Sequence, residues 1–174
     1  WLGGDLVAVE KLEAHRRGLR HKAVSVFVLH GEEVLIQRRA LGKYHTPGLW
    51  ANSCCTHPRW GEAGIDCARR RLAEELGIKG LCLHPRGEVE YRADVGGGLI
   101  EHELVEVFVA HVAQRITPRP NPEEVMAVEW VSRAALMARI ASTPAVYTPW
   151  LQIYLERHAA QIFGVTENTV EIRA

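Results

Sequence analysis

The chain has 174 residues, 47% of them hydrophobic and 24% charged, with 21 Lys+Arg balanced by 21 Asp+Glu. That apolar share supports a buried core and excludes a disordered tail, and the length suits a single domain. A formal net charge of zero argues against general nucleic-acid binding, because a phosphate backbone demands a basic surplus.

No run of about 18 apolar residues occurs, so neither a spanning helix nor membrane insertion is expected. The start, Trp1-Leu-Gly-Gly-Asp-Leu, has no basic region ahead of an apolar stretch, so a secretory leader is not expected. The missing initiator Met suggests that the numbered chain is not the whole translated product. Cys54, Cys55, Cys67 and Cys82 form no CxxC pair, and adjacent Cys54 and Cys55 have poor geometry for a disulfide. They read as reduced cysteines of a cytoplasmic protein.

In chain order, residues 23–29 (Ala-Val-Ser-Val-Phe-Val-Leu) read as a strand, and residues 34–39 as its return after the turn 30–33. Residues 40–61 hold Gly42, Pro47, Gly48, Pro58 and Gly61, and read as a long loop with a short strand at 50–55. So long a loop in a compact domain is usually functional. Residues 62–76 read as a helix with Ile65, Ala68, Leu72 and Leu76 on one stripe and Gly77 as its C-terminal stop. Strands follow at 86–93 and 99–112, joined by the turn 94–98. After the break at Pro118, Pro120 and Pro122 comes a strand over Val125–Val131. Ser132 caps a helix to about Ala141, and Thr148-Pro149 opens a helix to about Phe163. The polar tail 164–174 reads as loose. Strands, one central helix, strands and then helices predict an α+β fold rather than a doubly wound parallel sheet.

Several side chains suggest chemistry. Alternation puts Glu101, Glu103, Val105 and Val107 on one strand face. Two carboxylates half-buried together are costly unless a cation or protons compensate, and the alternative is a solvated sheet edge. In Asn52-Ser53-Cys54-Cys55-Thr56-His57-Pro58, an extended backbone puts Cys55 and His57 on one side and Cys54 on the other. His15 and His21 flank a basic segment before the first strand. Imidazole with carboxylate suits Zn, Mn or Fe better than Mg. Arg71 and Glu75 lie four apart on the helix, either as a surface ion pair or as part of a site. Arg38 reads as a solvated hairpin end.

The helix region resembles the Nudix box, G-x5-E-x7-R-E-U-x-E-E-x-G-U, where U is aliphatic. Thr56, Glu62, Arg70, Arg71, Leu72, Glu74, Glu75, Gly77 and Ile78 stand at its positions. Thr56 replaces the first glycine, and Arg71 replaces the glutamate that assists metal-dependent hydrolysis in many members, which argues against hydrolysis. These departures, with Asn52-Ser-Cys-Cys-Thr-His-Pro58, Tyr91-Arg-Ala-Asp94, Glu101-His-Glu103 and Thr148-Pro149-Trp150, resemble the type 1 isopentenyl-diphosphate Δ-isomerases over about residues 5–163.

The resemblance implies a single Nudix-type domain with a mixed β-sheet core over about 22–131 and C-terminal helices over about 132–163. It implies an isomerase of isoprene biosynthesis acting on a small five-carbon diphosphate. Cys55, Glu103 and Tyr91 are then catalytic. His15, His21, His57, Glu101 and Glu103 hold one Mn2+ or Zn2+, and Glu75 meets a Mg2+ carried by the substrate diphosphate. Lys11, Arg39, Lys43 and Arg71 bind the diphosphate, and Trp150 forms an aromatic wall; without the resemblance Trp150 also reads as a hydrophobic helix anchor. Two other readings make different demands. A Nudix hydrolase of nucleoside diphosphate derivatives needs a carboxylate at position 71. A non-catalytic metal-binding or interaction module has no need of Cys55, Tyr91 and Glu103 together.

Overall fold

The computed structural model describes residues 1–164. The strands are β1 (His21–His30), β2 (Glu33–Arg39), β3 (Trp50–Ala51), β4 (Cys54–Thr56), β5 (His84–Asp94), β6 (Ile100–His111) and β7 (Val125–Ser132). The helices are α1 (Lys11–Arg16), α2 (Gly64–Leu76), α3 (Arg133–Ser142), α4 (Pro149–Arg157) and α5 (Ala159–Phe163), with a 3-10 turn at Pro144–Val146. All seven strands join one sheet, in the order β3-β2-β1-β6-β5, with β4 against β1 and β7 against β2. β1 and β6 run parallel, while the other pairs are antiparallel. The α+β expectation with a mixed sheet holds.

Alternation along β1 builds two cores. Val24, Val26 and Val28 point to one face with Cys54, where Cys67, Ala68, Leu72 and Leu76 of α2 cover them. Ala23, Phe27 and Leu29 point to the other, beneath Leu151, Tyr154 and Leu155 of α4 and Ile162 of α5. Each fully buried Leu or Ile removes enough apolar surface to stabilise the fold by about 1.5–3 kcal/mol. Gly77 ends α2 with φ 66°. A Cβ there would meet the Arg119 carbonyl oxygen at 2.9 Å, so glycine answers both the left-handed backbone and the close approach.

β1 and β2 start as a hairpin but part almost at once, with Leu29 facing Val34 and His30 facing Glu33. Farther on, β2 pairs with β3 while β1 pairs with β4, and β7 pairs along the other edge of β2 throughout. Two polar side chains satisfy the backbone exposed by this split. Ser53 Oγ accepts from Val28 N at 2.8 Å and donates to Leu35 O at 2.6 Å. Asn52 Nδ2 donates to Val26 O at 3.0 Å. Buried peptide groups left unpaired would cost about 1–3 kcal/mol each. The expected strand at 50–55 is therefore two short strands with Asn52 and Ser53 between them.

Some boundaries differ from expectation. The central helix begins at Gly64 rather than 62. The last helix breaks at His158 (φ −125°, ψ 14°), so α4 and α5 are separate. Ser132 caps α3 by accepting from Ala135 N at 3.2 Å. Thr148 makes no such side-chain bond, and Pro149, which needs no N–H partner, starts α4. Of the tail read as loose, residues 165–174 lie outside the described residues. No described helix is long and apolar enough to cross a membrane.

Candidate active site

The register of the central strands assembles the site. His21 of β1, Glu103 of β6 and Tyr91 of β5 stand side by side in one row. Ser25 of β1 stands beside Cys55 of β4. Along this face β6 is apolar at Val105, Val107 and Val109 and carboxylate at Glu101 and Glu103, which are 3% and 5% exposed. That burial excludes the solvated-edge alternative.

Around those carboxylates gather the imidazoles of His15, His21, His57 and His45. Donor atoms of His15, His21, His57, Glu101 and Glu103 all lie within 4.8 Å of one another. Metal–ligand bonds of roughly 2.0–2.2 Å put opposed donors about 4–4.4 Å apart, so the spacing suits one ion. His15 Nδ1 lies 2.7 Å from Lys11 O, and His21 Nδ1 lies 2.7 Å from Leu19 O. A carbonyl only accepts, so each Nδ1 carries a proton and Nε2 is the nitrogen left to offer a lone pair inward. His21 Nε2 then faces His57 Nε2 at 3.2 Å and Glu103 Oε1 at 3.5 Å, and His57 Nε2 lies 2.7 Å from the same oxygen. His15 Nε2 faces Glu101 Oε1 at 3.6 Å. Lone pairs converging on carboxylates call for a cation or protons between them. His57 Nδ1 is buried without a partner. Burial, then the charge of Lys11, pushes the His57 imidazole well below its ordinary value, which favours the neutral ligand form.

Cys55 and Glu103 line a common pocket of about 40 Å³ with Tyr91, Trp150, Lys11, Arg39, Lys43, Arg71, His57 and Glu101. β1 lies between the strands that carry the thiol and the carboxylate. Burial pushes the Cys55 thiol up and keeps it protonated. The thiol donates to Asn52 Oδ1 at 2.9 Å and lies 2.9 Å from Ser25 Oγ, which accepts from Tyr154 Oη at 2.9 Å. Cys54, by contrast, is fully buried on the α2 face. Burial alone would push the Glu103 carboxyl up. The close Glu101, His21 and Tyr91 side chains outweigh it and hold Glu103 at about 2. Tyr91 Oη donates to Glu103 Oε2 at 2.6 Å. Burial beside these carboxylates keeps the Tyr91 phenol well above its ordinary value, as a donor.

The cations gather opposite. Arg39 is buried and donates from Nε to Thr46 O at 3.2 Å and from Nη2 to His45 O at 3.1 Å. Its guanidinium stands 5.4 Å from the centre of the Trp150 ring. Lys11 stands 4.9 Å from the Tyr44 ring centre. Arg71 Nη2 donates to Glu75 Oε1 at 2.6 Å and to Glu124 Oε1 at 3.0 Å, and Lys43 also pairs with Glu124. Glu75 is buried, held by Arg71 and by Gln37 Nε2 at 2.9 Å, and does not line the pocket, because Arg71 stands in front of it. Arg38 is exposed, as expected. All four cysteines are free.

Sequence reasoning passed over Ser25, Tyr154, His45, Tyr44 and Glu124. Ser25 had a signal, a lone hydroxyl on the apolar face of β1. Tyr154 had another, one helical turn past Trp150. Glu124 reaches Arg71 and Lys43 from a proline-rich connection and carries no local pattern.

A NUDIX domain matches residues 19–151. The isopentenyl-diphosphate Delta-isomerase of Jannaschia sp. (strain CCS1) is 63% identical over 163 residues, 94% of this chain and 93% of that one. That of Dinoroseobacter shibae is 62% identical over 169 residues, 97% of this chain and 96% of that one. Among solved structures, the MutT NUDIX hydrolase from Burkholderia pseudomallei superposes with a TM-score of 0.62 at 22% identity, over 80% of this chain and 98% of that one. That likeness speaks for the fold, and the isomerase relatives speak for the branch. With a Nudix domain over most of its length, and isomerase relatives alike from end to end, the chain belongs to the isopentenyl-diphosphate Delta-isomerases of the Nudix superfamily.

Proposed function

We propose that the protein interconverts isopentenyl and dimethylallyl diphosphate by moving one carbon–carbon double bond. A proton adds to the terminal alkene carbon, the adjacent carbon becomes cationic, and a proton leaves the allylic carbon. Protonating an unactivated alkene needs a proton donor held close against it, and the second step needs a base placed apart from it. Cys55 and Glu103 are that pair, and they exchange roles when the reaction reverses. Tyr91 holds and relays the proton at Glu103 Oε2 through its 2.6 Å hydrogen bond.

The observation that carries this reading is the shared pocket of Cys55 and Glu103, closed by Trp150 and fringed by Lys11, Arg39, Lys43 and Arg71. Trp150 offers a π face that favours positive charge by on the order of 2 kcal/mol when desolvated, without acting as a nucleophile. The burial of these walls keeps out the water that would capture the cation. The basic side chains bind the diphosphate, and Arg71, in place of the box carboxylate, grips an anion instead of assisting hydrolysis.

The His/Glu cluster fits a divalent ion, which when bound supplies positive charge beside Glu103 and fixes that carboxyl in place. Mixed imidazole and carboxylate donors favour Mn2+ or Zn2+ there. Glu75, whose carboxylate accepts from Arg71 Nη2 at 2.6 Å, would be the protein carboxylate for a Mg2+ accompanying the diphosphate.

The test is incubation with isopentenyl diphosphate in heavy water, with Mg2+ and Mn2+ or Zn2+ present, followed by NMR of the allylic product. Deuterium is expected in the product. Its absence would sink the isomerase reading.

A further inference from the structure

His45 lies between β2 and β3 and is 6% exposed. It falls outside the cluster of donors that share the metal position, yet it touches that cluster. Its Nε2 lies 3.0 Å from Glu101 Oε1, and its Nδ1 lies 3.0 Å from Thr46 Oγ1. With Nδ1 accepting from the Thr46 hydroxyl, Nε2 carries the proton and donates to the carboxylate. Tyr91 Oη lies 3.3 Å from the other oxygen of Glu101 but gives its one proton to Glu103 at 2.6 Å, so the hydrogen bond that Glu101 receives is that from His45.

The loop that carries His45 is itself fixed. Thr46 adopts φ 45°, a left-handed conformation uncommon outside glycine. The backbone oxygens of His45 and Thr46 both accept from Arg39. The imidazole edge also meets the Trp150 ring, with centroids 5.8 Å apart at 88°.

We propose that His45 is a positioning residue of the metal centre, whose Nε2–H orients Glu101 toward the ion without being a ligand itself. This rests on the reading of the His/Glu cluster as a divalent-ion site. A ligating carboxylate held in this way loses less freedom on binding the ion, and removing such an outer partner weakens metal affinity by about 10–100-fold.

Two polar substitutions of similar bulk separate the donor from mere packing. In His45→Gln the amide reaches the level of Nε2. In His45→Asn it stops at the level of Nδ1. The metal-free full chain and both variants are titrated with Co2+ alone, read by its visible absorption and by competition with a chelator. His21→Gln serves as the loss of a true ligand. His45→Asn is expected to bind about 10–100-fold more weakly, and His45→Gln to keep most of the native affinity. Both are expected to retain the native cobalt spectrum.

Native affinity in His45→Asn, or equal losses in both variants, overturns the proposal. A spectrum altered as much as that of His21→Gln overturns it too, by placing His45 among the ligands. Failure of the native chain to bind Co2+ at all instead overturns the metal reading beneath it.

Discussion

Cys54 and Cys55 are neighbours in sequence and live in different chemical worlds. Cys55 meets Asn52 and Ser25 at the pocket wall, while Cys54 fills the apolar space under α2. The peptide between them is extended, so one residue of register decides which thiol reaches the pocket. Cys55→Ala is expected to abolish turnover, and Cys54→Ala to preserve most of it at some cost in stability. Steady-state assays of both variants check this, and equal losses would contradict it. The strand alternation that marks Cys55 was legible from residue types alone, as was the convergence of Glu101 with Glu103. His45 was not, because a loop has no period and its side-chain directions follow from contacts far along the chain.

At the level of elements, periodicity revealed β1, β2, β6 and α2. It missed α1, whose six residues (Lys11–Arg16) carry no repeated apolar stripe and owe their cap to Glu10 accepting from Glu13 N at 2.9 Å. It also carried the last helix through His158, where the backbone turns aside. Two predictions belong to α2. Gly77→Ala forces a Cβ onto the Arg119 carbonyl at positive φ, and the left-handed strain alone costs about 1–2 kcal/mol; urea unfolding measures it. From within α2, Arg70 grips Glu62, just ahead of the helix, through Nε and Nη2 at 2.7 and 2.8 Å. That hydrogen bonding holds Glu62 at about 2, below its ordinary 4.5. A depressed folded pKa stabilises above the unfolded value, and the benefit fades as pH falls from about 4.5 through 2. Glu62→Gln should be less stable than the native chain near pH 7, by at most about 1 kcal/mol for a surface pair. The two stabilities should converge as pH falls to about 2, and a gap undiminished there would refute the assignment.

Over the whole molecule, zero net charge conceals a segregation. Residues 11–43 hold eight Lys+Arg against three Asp+Glu, a local +5. Residues 99–129 hold two against six, a local −4. The fold brings these stretches together through the parallel pairing of β1 with β6, so a basic rim and a carboxylate floor share one pocket. An ion bound only by the native chain stabilises it by about 2.7 kcal/mol at 100 times its dissociation constant. At about 2–4 °C per kcal/mol for a chain of this size, a chelator should lower the melting temperature by about 5–10 °C. Calorimetry with and without chelator checks this, and an unchanged transition would count against the metal site.

The parting of β1 and β2 has a consequence for how substitutions in this chain are interpreted. Asn52 and Ser53 are fully buried and make the hydrogen bonds that two separated strands cannot make with each other. They stand immediately before the Cys54–Cys55 pair, so a map of tolerated substitutions would place them with the pocket thiol. Their intolerance would nevertheless be that of a seam. Asn52 belongs to both categories at once, because the amide nitrogen that joins the sheet shares its carbon with the oxygen that receives the Cys55 thiol.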